Sequence, residues 1–317
     1  MPTKILTYIK GLLTVSEEAT CAAMARVLTD ESSHDFLSRI LKDQRLEWQT
    51  LLSSLVLRIV GKLHDGFLII DDTVIDKSFA KVIENLSWIF CSKKKSYVLG
   101  LNIVVLAWSN GSITIPLAVK IWKKDCKKSK YDLALELLSY AKSFLKLSPK
   151  YVVFDSWYAS KKILKRIDGY QWKFICRLRK NRKFNGAQLK RYKKNPYWME
   201  QGCIDQNLTV LIVKHGKKYY ATNDLDLSKK ELRHRYDTRW KIETMFRMLY
   251  DKLGMEECQA RSLQAQIAHI HLCLMSFILL EKEKQETGKT WYQLRRDYRF
   301  NPKKVNSLLS KLNFQGA

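Results

Sequence analysis

Three carboxylates of this 317-residue chain stand where their surroundings give them chemical work. Asp72 follows the apolar run Phe67-Leu-Ile-Ile70, with Asp71 before it and Thr73 after it, and Asp155 follows Tyr151-Val-Val-Phe154. Glu243 lies in Tyr236-Asp-Thr-Arg239-Trp-Lys-Ile-Glu243, a helical pattern that continues through Arg247 to Tyr250. At 3.6 residues per turn, Arg239 and Arg247 flank Glu243 at i−4 and i+4, and Tyr236 shares their face at i−7. A salt-bridged surface helix would use the same spacing. Two acids at strand ends and a third on a helix are also the parts of a site for two Mg²⁺ ions. Hard divalent cations prefer carboxylate oxygens, and two of them about 3.5–4 Å apart activate the nucleophile and stabilise the leaving oxygen in phosphodiester cleavage. Mn²⁺ would substitute. Asp71 and Asp72 point to opposite faces of a regular strand, so only one should face the metals, and the spacing leaves the choice open.

The elements that must position these acids change character along the chain. Residues 1–62 read as helical: Thr20 to Leu28, His34 to Leu41 and Trp48 to Val60, with the polar break Thr29-Asp-Glu-Ser-Ser33 between the first two. The first pair resembles a helix-turn-helix, which would read DNA, and a small bundle for dimer contacts fits as well. Strands follow at Phe67–Asp72, Tyr97–Trp108 and Ile113–Ile121, the last two joined by the turn signal Ser109-Asn-Gly111. An amphipathic helix spans Tyr131 to Leu145. Tyr151–Phe154 is a short, wholly apolar strand, as expected when helices cover both faces. A helix at Ser160–Ile167 and a strand at Trp172–Cys176 complete a mixed α/β layer. If the first and fourth strands pair, Asp72 and Asp155 become neighbours at a strand-end crevice.

The formal net charge is +26, from 57 Lys/Arg and 31 Asp/Glu. Residues 1–60 hold seven of each sign, so the remainder carries the whole excess. A basic excess of that size on an aromatic-rich folded body favours a polyanionic partner, most simply nucleic acid. Its densest part is Arg177 to Lys194, with nine Lys/Arg and no acid, among them Arg179, Lys180, Arg182 and Lys183, and with Phe184 and Tyr192 between them. A nucleic-acid groove and a solvated face both fit such a run. Lys130 follows the cluster Lys123-Lys124 and Lys127-Lys128 and is a further backbone-contact candidate. Trp157 and Trp198 are candidates for base stacking, against core packing. Asn207–Val213 and Lys217–Thr222 read as a hairpin. The seven cysteines are scattered, with no C-x-x-C pair, which suits reduced thiols and neither a disulfide framework nor a zinc site. No signal peptide is visible, and the apolar run Leu272 to Leu280 is short for a membrane span, so a cytoplasmic protein without a membrane partner is expected.

In their order and spacing, Ile70-Asp71-Asp72-Thr73, Phe154-Asp155-Ser156-Trp157-Tyr158 and Tyr236-x2-Arg239-x3-Glu243 resemble the DDE transposases of bacterial insertion sequences that carry a Tyr-Arg-Glu-Lys signature. The resemblance covers about residues 20 to 280. It implies a ribonuclease-H-like catalytic core, with a β-rich insertion between the second Asp and the Glu. Its Asp-Thr pattern makes Asp72 the first metal ligand, beside Asp155 and Glu243, and makes Tyr236 and Arg239 contacts to the DNA backbone. The family's lysine, seven residues after the glutamate, is replaced by Tyr250. Lys252 lies about half a turn away from the Glu243 face, so Arg247 is the candidate replacement cation.

The expected organisation is a helical domain at 1–62, a catalytic core at 63–179 and 224–285, a basic β-rich insertion at 180–223, and a basic tail at 286–317. The resemblance implies a nucleoid-associated bacterial enzyme. It would bind the terminal inverted repeats of its element as a homodimer or larger synaptic complex, cleave double-stranded DNA there, and join the 3′-OH strands to target DNA. Two other readings share these residues: a ribonuclease-H-like nuclease that cuts without joining, and a non-catalytic or decayed transposase-derived DNA-binding protein.

Overall fold

The computed structural model describes residues 1–29, 32–61, 63, 65–124, 127–192, 196–204 and 208–310. Asp30, Glu31, Lys194 and Asn207, named in the sequence analysis, lie outside the described residues, as do Lys62, Lys193, one of the seven cysteines (Cys126) and residues 311–317.

A mixed sheet of nine strands forms the centre. Its organising strand is β1 (Phe67–Asp76), antiparallel to β3 (Ser96–Ser109) and parallel to β5 (Tyr151–Phe154). β4 (Thr114–Trp122) lies antiparallel on β3, and β6 (Phe174–Leu178) lies parallel on β5. The resulting order, β4-β3-β1-β5-β6, is that of the ribonuclease H core. β2 (Ser87–Cys91) adds a ribbon to the start of β3. Beyond β6, the strands β11 (Lys218–Thr222), β10 (Leu208–His215) and β9 (Met199–Ile204) continue the same sheet antiparallel. Among the described residues of the 180–223 segment, the small ladder of β7 (Lys183–Phe184) and β8 (Ala187–Gln188) stands apart from it.

Every residue of β5 is buried, and its flanks account for this. α5 (Lys130–Ser143) packs on β3 and β4, and α6 (Lys161–Gly169) on α5 and β6. α7 (Lys229–Asp237) packs on β6 and β11, and α8 (Trp240–Asp251) on β1. A strand covered this way has no polar face to present.

Of the N-terminal helices, α1 (Thr3–Thr14), α3 (His34–Lys42) and α4 (Trp48–Val60) pack on α9 (Leu263–Thr287), and α2 (Cys21–Leu28) packs on α1 and α3. One continuous hydrophobic core runs from Ile5 to Leu309 and joins these helices to the sheet. α9 is long and apolar enough to cross a membrane by length and composition, yet here it is the buried axis of the helical layer. The basic C-terminal stretch forms α10 (Trp291–Phe300) and α11 (Pro302–Ser310), both packed on α1. Arg295, only 3% exposed, donates to the Leu12 and Val15 carbonyls at 2.7 and 3.0 Å. It thereby satisfies the unpaired carbonyl end of α1.

Three local readings of the sequence change. β1 does not stop at Asp72: it stays paired with β3 as far as Asp76↔Gly100, so the acid pair lies within the strand, at the level where β5 ends. The pattern from Tyr236 to Tyr250 is two helices, with a tight turn at Thr238-Arg239 closed by i→i−3 bonds such as Arg239 N–H to Tyr236 O at 3.0 Å. α1, β2 and β9 had no distinct signal in the sequence.

Candidate active site

The parallel register Ile70↔Phe154 sets the next residues, Asp71 and Asp155, beside one another at the end of β5. β1 loses its parallel neighbour there, which opens a crevice along its edge. α7 and α8 close the crevice from above. Arg235 anchors α7 by donating to the Tyr151 hydroxyl and to Glu231, and Tyr151 in turn donates to Asp224, which Lys173 holds at 2.8 Å. Glu243 falls in the first turn of α8, where the helix dipole favours a carboxylate.

The two adjacent aspartates have separate partners. Asp71 accepts from Arg239 Nη1 at 2.8 Å, and Nη2 of the same guanidinium donates to Glu243. Burial pushes the Asp71 carboxyl up to about 7; Arg239 opposes the shift, and the charges of Asp72 and Asp155 add to it. Asp72 faces the other way. Its oxygens accept from Lys130 Nζ at 2.7 Å, Tyr158 Oη at 2.8 Å and Asn102 Nδ2 at 3.0 Å. Burial raises the Tyr158 phenol, reinforced by Asp72, so it stays a donor. Asp155 accepts from its own turn, Trp157 N–H at 2.7 Å.

Arg239 is 8% exposed, and its Nε finds no partner among the described residues. Burial alone would lower its basicity, but Asp71, Tyr236 and Glu243 raise it further, so it is a fixed positive charge. Tyr236 is buried against Tyr220, ring centroids 5.1 Å apart, with its hydroxyl unpartnered among the described residues. Arg247 is exposed. Tyr250, seven residues after Glu243, places its hydroxyl 2.7 Å from Thr73 Oγ1 and donates to the Val74 carbonyl at 3.1 Å. Lys252 leaves this face and sits 5.2 Å over the Tyr292 ring.

Trp157 is 42% exposed, so it is a surface ring and not core. Lys130 Nζ and the Arg179 guanidinium approach it at 4.9 and 5.0 Å, and Tyr131 stacks on it at 6.1 Å. Lys180 and Lys183 are exposed beyond it, and Arg182 is half-buried. Trp198 packs in an aromatic cluster with Phe184 and Tyr192. The basic run therefore starts at the lip of the crevice.

Tyr158 and Asn102 had no role in the site as read in the sequence, and Asp71 stood there only as the alternative to Asp72. Asn102 carried a signal: it is the only polar side chain in the long apolar stretch from Val98 to Trp108, and it is 1% exposed. A buried amide in such a strand is there to bond something.

The carboxylates fit a divalent cation by chemistry. They are hard-oxygen donors on neighbouring elements, and the charges around Asp71 repel one another, which a cation would relieve. Their spacing is set by protein cations instead, Arg239 between Asp71 and Glu243, and Lys130 on Asp72. Among the described residues no three His, Cys, Asp or Glu side chains converge closely enough to hold a metal ion.

A ribonuclease-H-like sheet, with acids on its two central parallel strands and a third on the covering helix, defines the class of polynucleotide-processing folds to which this chain belongs. Residues 62–279 match the family described as the transposase DDE domain, more than half of the chain, and the chain is a member of that family. Among solved structures it is similar to the piggyBac transposase in a synaptic complex with hairpin DNA. That match has 14% identity and a TM-score of 0.57, and it covers 100% of this chain and 74% of that one. At this identity the likeness concerns the fold. A further match, the NurA nuclease from Sulfolobus solfataricus, has 11% identity, covers 64% of this chain and 86% of that one, and superposes with a TM-score of only 0.27. No curated protein matches the chain.

Proposed function

We propose that this transposase binds double-stranded DNA at the ends of its element, cleaves it there and transfers the freed 3′-OH strands to target DNA, with Asp72, Asp155 and Glu243 as the reactive centre. The observation that carries the reading is that Asp155 follows β5 beside Asp71 of β1, that Arg239 joins Asp71 to Glu243 of α8, and that the basic run begins next to them. Two Mg²⁺ ions, or Mn²⁺ in their place, would supply the Lewis acidity that activates the attacking oxygen and neutralises the leaving one. Asp72, Asp155 and Glu243 would hold them, which requires Asp72 to leave Lys130 and Tyr158 and turn to the face where Arg239 now joins Asp71 to Glu243. Asp71, adjacent to Asp72 and already turned towards Glu243 through Arg239, shares this environment.

The chain's own groups do the rest. Arg239 holds Asp71 and Glu243 in one plane of charge, and Lys130 with Tyr158 and Asn102 orients Asp72. For a scissile phosphate to enter, Arg239 or Lys130 exchanges a carboxylate for a phosphate oxygen, a trade between two anionic acceptors. Arg179, Lys180, Lys183 and Arg247 present charge to the DNA backbone, and Arg182 contributes from beneath. Cleavage breaks a P–O3′ bond as a water oxygen bonds to phosphorus. Joining repeats the displacement with the 3′-OH as nucleophile. A homodimer or larger synaptic assembly would hold two ends together, and a hairpin at the excised end, the DNA form named for the piggyBac complex, is one candidate intermediate.

The test uses purified full-length protein, Mg²⁺ or Mn²⁺, and a labelled duplex made from the DNA flanking its gene, with Glu243→Gln as control. Cleavage at the element end that disappears in the variant is expected, together with strands joined to target DNA. Nicked products that are never joined would make it a nuclease. Binding without any cut by either protein would leave a DNA-binding protein alone.

A further inference from the structure

One surface of the catalytic sheet has no part in the crevice. β2 and the first residues of β3 form a ribbon in which Phe90 pairs with Tyr97 and Trp88 with Leu99. Trp88, Phe90 and Tyr97 therefore share a face, and they are 68%, 54% and 67% exposed, with the Phe90 and Tyr97 rings meeting edge-on at 5.5 Å. Single exposed apolar side chains are ordinary, but three large aromatic rings side by side mark a contact surface. Alternation along β3 puts Tyr97 on the same face of the sheet as Val105, the partner of Asp71. The turn of the ribbon is Ser92-Lys93-Lys94-Lys95. Lys94 is bonded to Asp76 at the end of β1, and Lys93 Nζ stands 5.7 Å over the ring of Tyr250, whose hydroxyl holds Thr73. The ribbon is thus tied at its tip to the strand that carries Asp71 and Asp72.

We propose that the β2–β3 ribbon grips unpaired nucleotides at the reacting DNA end, with bases stacked on Trp88, Phe90 and Tyr97 and the backbone held by Lys93 and Lys95. The proposal rests on the DNA reading of the crevice. Bases inside a duplex are already stacked on both sides, so an exposed ring adds a contact only where a base is unpaired, and lysines beside it serve the phosphates. A second copy of the chain fits this surface less well. A second copy would bring its own net charge of +26 against a surface edged by lysines, whereas a nucleic acid brings the opposite charge.

The experiment compares the full-length protein with a Trp88→Ala/Phe90→Ala/Tyr97→Ala variant by fluorescence anisotropy. One probe is a blunt duplex and the other is the same duplex with a short unpaired overhang. Wild type is expected to prefer the overhang, and the variant to lose roughly 10-fold on it while binding the blunt duplex as before. Unchanged blunt-duplex binding also shows that the variant is folded. As a second readout, iododeoxyuridine in the overhang should photo-cross-link within residues 88–97. An overhang preference that survives in the variant, or cross-links elsewhere, overturns the proposal. So does a variant whose only change is its oligomeric state in sedimentation, which would make the ribbon a contact between copies. If wild type binds neither probe, the DNA reading itself fails and takes this proposal with it.

Discussion

The crevice along β1 and the axis of α9 both bury polar groups, and they handle them in opposite ways. Around α9, His269, Gln266 and Ser276 are buried neutral groups satisfied mainly by backbone carbonyls. His269 bonds the Gly254 carbonyl and the Tyr8 hydroxyl, both at 2.9 Å, Gln266 reaches the Cys258 and Ala260 carbonyls, and Ser276 bonds Leu272 O. In the crevice Asp71 and Asp72 are each matched by a cation from another element, Arg239 and Lys130, and Glu243 shares Arg239. Neutral, locally satisfied groups hold a fold together at little risk. Paired buried charges contribute little net stability and are costly to leave half-made. A protein that accumulates the second kind at one strand edge is keeping charge there for chemistry.

The largest effect should come from removing a charge that the chemistry needs. Glu243→Gln and Asp155→Asn keep shape and volume, and each is expected to lower DNA cleavage by about 10²-fold or more while the thermal melting curve stays put. Full activity in both would move the reactive centre away from these acids.

Arg239→Gln probes the same region through stability. It leaves Asp71, 16% exposed at its side chain, without its cation, and a loss of about 3 kcal/mol is expected in urea denaturation. Adding Asp71→Asn should restore most of it, because the second change removes the charge that the first one stranded. Additive losses would mean that the pair does not act as a unit. A matching substitution along α9 would show no such rescue.

Acidification sharpens the contrast from the other side. Burial holds His269 and His271 down at about 4. Between about 6.5 and 4 the unfolded chain takes up protons that the folded chain refuses, so stability falls as pH drops through that window and levels off below it. Each histidine contributes at most about 1.4 kcal/mol per pH unit there. His269→Gln, compared with wild type by urea titration at pH 7.5 and pH 5, should show a shallower dependence. An unchanged slope would mean that the imidazole is protonated in the folded state.

How much of this could be read beforehand depended on what each feature needs. β5 was legible to the residue, because a wholly apolar tetrapeptide running into an acid suits a buried strand and little else. β1 was legible at its start and not at its end: four of the six residues from Asp71 to Asp76 are polar, and pairing with β3 keeps the stretch extended. The split between α7 and α8 leaves no mark in a sequence whose residues all suit a helix. Choosing between Asp71 and Asp72 needs the partners on both faces. Alternation says that they part company, but not that Lys130 waits on one side and Arg239 on the other. Tyr250 looked like a loss, a cation replaced by a phenol, since the sequence shows the missing charge and not the bonds gained.

Tyr250 also gives the smallest and most discriminating comparison, because it belongs to both kinds of region. It is a neutral, satisfied group like those of α9, with its phenol raised chiefly by burial, yet it bonds the strand that carries the acids. Tyr250→Phe removes two hydrogen bonds and keeps the ring, and it should cost about 1 kcal/mol. If Tyr250 only packs, cleavage by the variant should match wild type once the protein is folded, and kcat should not move. If its hydroxyl fixes the pitch of β1 through Thr73 and Val74, then Asp72 shifts with the strand, and kcat should fall several-fold at unchanged DNA affinity. Tyr250→Lys separates the two further. An ammonium in that place would supply the cation expected from the sequence resemblance while breaking the bond to Thr73, so a gain in DNA affinity together with a fall in kcat would show that Tyr250 braces the catalytic strand in place of a phosphate contact.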